Sequence, residues 1–596
     1  MSVLLTASLS AALPLSAASH VDVVKMRTEN RVNPLGIGTS TPRFSWQITS
    51  DRKGVVQTSY QILVASSREK LDRNEADLWD SGERNSDEQL WIPYQGKALL
   101  SGAQAYWKVR ITTNKGKSEW TEPQLFTIGL LGETKWSGTW IGLEDLQPGE
   151  QKGMHTRLAA RYIRKDFAAK GKVKRAVAYV AGLGVYEFYV NGQRMGGSQA
   201  LQPAPTDYRK TIYYNTFDVT SLLTEKNAIA IKLGNGRMFP MRQEKAYKTP
   251  FFGYPKCRIN VKVEYENGKT ETWATNNTWK LSFDGPIRSN NEYDGEEYDA
   301  RREQALKGWT QAGFDDSQWQ KAERCAIPDG TLMAQPMTGM VEKEFGHPVS
   351  LKHRHDTLIV DFGQNMAGWI GFQVRGRQGD TIRVKYAEKL QADGSLYLDN
   401  FRNALSEDIY VCNGKENGKP WRPVFSYHGF RYAAITGMKN ARKENFTAYT
   451  VSDEMATIGH IETSDTILNK GIEECMVGHL RQLQGYAGRL SAAQRAPALV
   501  GPDRTVGSLG ERFVFDNERL YSKWMHDICD AQRSDGNIPD VAPAFWNYYT
   551  DDVTWPAALP FTCDMLYHQF GNKQPIIDSY TIHQEMDQPY PGRIYG

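Results

Sequence analysis

The chain has 596 residues but only six cysteines, Cys257, Cys325, Cys412, Cys475, Cys529 and Cys563, with no CxxC pair among them. Such wide spacing argues against a structural zinc site and against a disulfide scaffold. An excess of charge of one sign is also lacking. A formal net charge of +3 and the lack of any basic run give no reason to expect nucleic acid as a partner. After the N-terminus, no apolar stretch is long enough to span a membrane. Also missing are the GxSxG elbow, HExxH, the phosphate-binding loop and the dinucleotide fingerprint, so serine-hydrolase, zinc-protease and nucleotide chemistry find no support. No metal site and no cofactor are expected.

What is present begins with a short apolar segment. Residues 1–19 end in the small-residue cluster Ser16-Ala17-Ala18-Ser19 and read as a secretory signal with its cleavage site, although the usual basic start is missing. The expected destination is the periplasm, the cell surface or the medium. A chain of this length needs several domains.

From 21 to 130 the pattern is all-β, with Tyr60, Ile62 and Val64 alternating, as do Trp107, Val109 and Ile111. A fibronectin-type sandwich is expected there. A second β unit, 136–328, has the alternation Ile229, Ile231, Leu233 and a hairpin-type Asn191-Gly192 turn. Its exposed aromatics either stack on a sugar or pack between domains. A third β-sandwich, 332–448, contains the alternation Ile382, Val384, Tyr386; His428 there reads as a structural histidine rather than a base.

The period changes after about Ile458. Leu468, Ile472, Met476 and Leu480 recur at helical spacing, as do Leu520, Trp524 and Ile528. Ser464 or Asp465 can cap the first helix, and Gly571 can end the one containing Met565 and Leu566. Cys475 and Cys529 fall on apolar helical faces and read as small core residues. Glu511 reads as a solvated surface residue.

Several stretches resemble one family. They are Asn33-Pro34-Leu35 with 42–46 (PRFSW), 181–192 (AGLGVYEFYVNG), 360–369 (VDFGQNMAGW) and 425–432 (FSYHGFRY). All are similar to the bacterial α-L-rhamnosidases, inverting glycoside hydrolases with β-sandwich domains ahead of an (α/α)6 barrel. The resemblance implies a multidomain chain of β-sandwiches, the unit at 136–328 a jelly roll, followed, at 458–596, by the first part of that all-α barrel. It also implies a rhamnose-containing glycan as substrate.

The segment 488–504, GRLSAAQRAPALVGPDR, departs from the family and has no apolar period of its own. Read one base later, its codons can encode VDCPQRNERQPWLG, which resembles the family's acid-bearing motif and rejoins the present frame at Asp503. The tail 582–596, IHQEMDQPYPGRIYG, puts Pro589 and Pro591 where a helix should continue. One base later it can encode a helical string, SIKKWISHIREEYM. Both are read as frameshifts, the second ending the chain early.

On this reading the chain as written has no catalytic pair. The codon for the general acid straddles Arg495-Ala496, and the general base is expected beyond Gly596. Asp503 matches the family's substrate-binding Asp and Arg504 can orient it, the alternative for Asp503 being a helix cap. Asp551, Asp552 and Trp555 match the loop that lines the sugar pocket, and Trp546 offers a second stacking face; either tryptophan can instead be core. Three readings are consistent with such a sequence: an exported α-L-rhamnosidase acting on rhamnose at chain ends, impaired as written; a decayed gene whose sandwich domains persist as a carbohydrate-binding or structural remnant; or an intact enzyme behind sequence errors.

Overall fold

The computed structural model describes residues 21–240, 252–401, 404–480, 508–544, 549–550, 554 and 556–586. The expected signal segment 1–19 lies outside them. The chain divides into two compact units, 1–128 and 129–596.

In the first unit the two alternating runs become strands Gln57–Ala65 and Gln104–Thr113, paired antiparallel. Period-2 spacing sends Ile62, Val64, Trp107, Val109 and Ile111 to one buried face. A smaller sheet of Val21–Thr28, Arg43–Ser50 and Ile92–Pro93 closes on it through Phe44, whose ring lies 4.4 Å from that of Trp107. The result is a two-sheet sandwich.

The second unit opens with a six-stranded and a seven-stranded sheet. Ile163, Val180, Phe188, Ile229, Ile231, Ile259 and Trp279 form part of the core they enclose. The strand Val185–Val190 turns back into Gln193–Arg194 through Asn191 and Gly192, both at positive φ. That is the backbone a two-residue hairpin requires.

A ten-stranded sheet follows, its long strand Thr357–Gln373 carrying the 360–369 motif. A Cβ at Gly368 would collide with the Tyr449 carbonyl, so only glycine permits this strand contact. The motifs at 360–369 and 425–432 are joined by Arg431, which donates twice to Asp361 at 2.8 and 3.0 Å. His428 is buried between the Ser406 hydroxyl and the Asp408 carboxylate, each at 3.2 Å.

Two strands cross the boundary expected near residue 330. Gly295–Asp299 joins the ten-stranded sheet by parallel pairing with Glu407–Val411. Thr331–Ala334 pairs in parallel with Thr211–Asp218 of the preceding module. Parallel partners are far apart in sequence, so no local pattern announces them.

Among the described residues the longer helices are Thr466–Leu480, Glu518–Asp530, Ala558–Phe570 and Gln574–Met586, with a short Arg68–Asp72 helix in the first unit. Asp465 caps the first through the amides of Ile467 and Leu468. Gly571, in the left-handed conformation, ends Ala558–Phe570. Two expectations about side chains are corrected here. Leu468 and Cys475 are exposed, because no described element makes an extended contact with Thr466–Leu480. Glu511 is buried, because 508–515 folds under the helices and the Tyr521 hydroxyl donates to its carboxylate at 2.8 Å.

Candidate active site

The helix Glu518–Asp530 is amphipathic, and its apolar face is sealed. Leu520, Trp524 and Ile528 share a core with Leu559, Met565 and Leu566 of the next helix and with Ala204, Tyr213 and Met337 of the first β module of this unit. A polar lock adds to this. Lys523 Nζ donates to the Pro205 carbonyl at 2.6 Å, and the Thr211 hydroxyl donates to Asp530 at 2.6 Å. The helical segment is thus fastened to the β module through the loop around 203–211.

From this platform the loop 531–544 returns. Ile538, Val541 and Ala542 are buried, and the Arg533 amide bonds the Asn537 carbonyl at 3.0 Å. Asp540 accepts the Thr550 hydroxyl at 3.0 and 2.9 Å. Tyr549 donates to the Ala531 carbonyl at 2.7 Å, and the Arg533 guanidinium lies over its ring at 3.5 Å. Burial pushes the Tyr549 hydroxyl up, against the pull of Arg533. Tyr549 and Thr550 therefore hold the backbone that leads directly into Asp551.

Across from Tyr549 stand Asp207 and Arg209, close enough to act on it electrostatically. They pair with each other at 2.9 and 2.6 Å. Sequence reasoning missed this β-module edge, and no local signal could have shown it: Lys523 and Pro205 are 318 residues apart.

Asp503, Arg504, Trp546, Asp551, Asp552 and Trp555 all lie outside the described residues, as do Arg495-Ala496 and Gly596. Among the described residues no cluster of His, Cys, Asp or Glu could hold a metal ion.

Four family models match in succession. They are an N-terminal immunoglobulin domain of rhamnosidase type at 23–132, an α-L-rhamnosidase N-terminal domain at 171–344, a bacterial α-L-rhamnosidase concanavalin-like domain at 351–452 and a bacterial α-L-rhamnosidase six-hairpin glycosidase domain at 456–588. The chain belongs to the bacterial α-L-rhamnosidase family. An α-L-rhamnosidase of Formosa agariphila is 34% identical over 479 residues, covering 76% of this chain and 50% of its own. One from an Alteromonas species is 31% identical over 578 residues, covering 93% and 60%. The chain thus spans 50–60% of the length of these rhamnosidases. The α-L-rhamnosidase structure from Dictyoglumus thermophilum superposes with a TM-score of 0.88 at 32% identity, over 94% of this chain and 63% of that one. The Streptomyces avermitilis α-L-rhamnosidase complexed with L-rhamnose shares the fold, with a TM-score of 0.86 at 24% identity over 95% and 70%.

Proposed function

We propose that this chain derives from an exported, inverting α-L-rhamnosidase that removes terminal α-L-rhamnosyl residues from plant or microbial glycans without a cofactor. The observation that carries the reading is the succession of rhamnosidase family models along 23–588, the last of them over the helical segment in which Tyr549 and Thr550, just ahead of Asp551 in sequence, are tied to Ala531 and Asp540. In this reading 458–596 is the opening of an (α/α)6 barrel. The two aspartates accept hydrogen bonds from sugar hydroxyls, Trp555 stacks on the ring, and Asp503, oriented by Arg504, holds a further hydroxyl.

Inversion needs one carboxyl to protonate the leaving oxygen and a second to activate water on the opposite face. The acid belongs to the reading frame shifted across 488–504, so the chain as written binds the sugar weakly and does not turn it over. Assay of the purified chain on an aryl α-L-rhamnoside tests this directly. Turnover that is abolished by Asp503→Ala would overturn the frame-shifted acid, whereas a frame-restored gene without rhamnosidase activity would overturn the function itself.

A further inference from the structure

The antiparallel hairpin of Ile287–Asn291 and Gly295–Asp299 is fastened to both β modules of the second unit. Asn290 ties it to the first of them: its Oδ1 accepts the Asn235 amide at 2.8 Å and its Nδ2 donates to the Leu158 carbonyl at 3.2 Å. On the other side Gly295–Asp299 pairs with Glu407–Val411 of the ten-stranded sheet. Glu296 stands directly opposite Asn290 in the hairpin and reaches the loop 424–427. Its Oε2 accepts the amides of Val424 and Phe425 at 3.1 and 2.9 Å. Those bonds fix Phe425, whose ring lies against Gly234 of the first module. A Cβ at Gly234 would come within 2.5 Å of that ring, so the seam closes only with the loop seated.

Two carboxyls are shut in at this seam. Glu296 and Asp408 are each 1% exposed, and the Glu296 amide donates to Asp408 Oδ1 at 2.8 Å. Asp408 is well served: the hydroxyls of Ser426 and Tyr386 donate to it at 3.1 and 2.6 Å, and His428 Nε2 lies at 3.2 Å. Burial opposes its charge, but His428 and these donors prevail and hold its carboxyl below the usual range. Glu296 has no such set. Its Oε1 is buried with no hydrogen-bond partner among the described residues. Lys232, the cation facing it, is held by Glu187 at 2.7 Å, and the phenols of Tyr162 and Tyr386, which also face it, are kept uncharged by burial. A second carboxylate here, beside Asp408 and with one oxygen unserved, is costly. Burial accordingly pushes the Glu296 carboxyl up to about 7, Asp408 adding to it while the two amides and Lys232 oppose.

We propose that Glu296 is a proton-operated latch that closes the loop 424–427 on the hairpin 287–299 and releases it on ionisation. The two amides occupy Oε2, so the proton sits on Oε1. When it passes to solvent, the carboxylate gains water only if the loop draws back. Closure is fully supported below the ordinary carboxyl value of 4.5, weakens as pH rises to about 7 and changes no further above that. The bonds of Asn290 and the backbone ladder to Glu407–Val411 contain no titrating group, so the loop is the part that moves. Phe425 moves with it, which uncouples the first β module from the ten-stranded sheet at this point. The latch does not depend on the proposed rhamnosidase function.

Hydrogen exchange of the full chain at pH 5 and pH 8, read by mass spectrometry and corrected for the intrinsic rate, tests it. Protection of the Val424 and Phe425 amides is expected to fall about tenfold or more between the two, while the strand Gln57–Ala65 of the first unit keeps its protection. In Glu296→Gln, whose side chain still accepts both amides but cannot ionise, protection at 424–425 should be the same at both pH values. Equal protection at pH 5 and pH 8 in the unaltered chain, or an equal fall in Glu296→Gln, overturns the latch. Should the variant fail to fold, the place of the fall decides. A loss at 424–425 exceeding that in Thr357–Gln373 supports the proposal, and a uniform loss across the ten-stranded sheet overturns it.

Discussion

Lys523 Nζ lies 2.7 Å from the Asp527 carboxylate one helical turn away, and both side chains are almost wholly shielded from solvent. The same ammonium donates to the Pro205 carbonyl of the β module. A charged pair on the inward face of Glu518–Asp530 is thus what registers the helix on the loop 203–211. Burial pushes the Asp527 carboxyl up to about 6 even with Lys523 beside it, so removing the lysine leaves a carboxylate that the site cannot solvate.

Lys523→Met is therefore expected to destabilise the second unit by about 3–5 kcal/mol, the usual cost of orphaning one half of a buried pair. The double change Lys523→Met, Asp527→Leu should cost clearly less. Guanidinium unfolding curves of the three proteins check this, and equal losses in single and double variants would contradict it.

Trp524 is sealed among helical and β-module side chains, including Tyr213 and Met337. Trp524→Ala should cost about 3–5 kcal/mol and should open the helical segment to protease. Ending the chain near residue 453 would uncover Ala204, Tyr213 and Met337 as an apolar patch. Such a fragment should aggregate or bind a hydrophobic dye where the full chain does not. A monomeric, dye-silent fragment would show that the β modules need no helical cover.

Glu296 is buried, accepts the amides of Val424 and Phe425, and sits near Asp408 and Lys232. Burial pushes its carboxyl up from 4.5 to about 7. Between those values the native state keeps a proton that the unfolded chain has released, so stability falls as pH rises through that window. Glu296→Gln should flatten the profile, gaining up to about 3 kcal/mol at pH 8 and little at pH 5. Denaturation series at pH 5, 6, 7 and 8 measure the slope, and an unchanged slope in the variant would assign it elsewhere.

Restoring the frame across 488–504, together with the complete barrel, should give an enzyme whose first-formed rhamnose has inverted anomeric configuration, as read by NMR. On the proposed roles, in which they hold hydroxyls rather than transfer protons, Asp551→Ala and Asp552→Ala in that enzyme should raise KM more than they lower kcat. Retention of configuration would contradict the inverting assignment.

Local pattern made much of this legible. Alternation at Tyr60, Ile62, Val64 and at Ile229, Ile231, Leu233 named strands, Asn191-Gly192 named a hairpin, and Gly571 named a helix end, although burial of Leu63, Ala228 and Ala230 on the other faces was not signalled. Each depends on period, turn chemistry or φ alone, all of which are set within a few residues. The family motifs likewise read directly, because they are contiguous.

Tertiary structure decided the rest. It buried Glu511 under Tyr521, left Cys475 in solvent, and took Gly295–Asp299 into a sheet with Glu407–Val411. It also set Asp207 and Arg209 beside Tyr549, and Glu292 against Arg237 at a seam between modules. The sequence by itself determined which residues have an apolar face to hide. Which surface hides it, and which charges are shut in along with it, depends on chain segments tens to hundreds of residues apart, and only the folded packing brings those together.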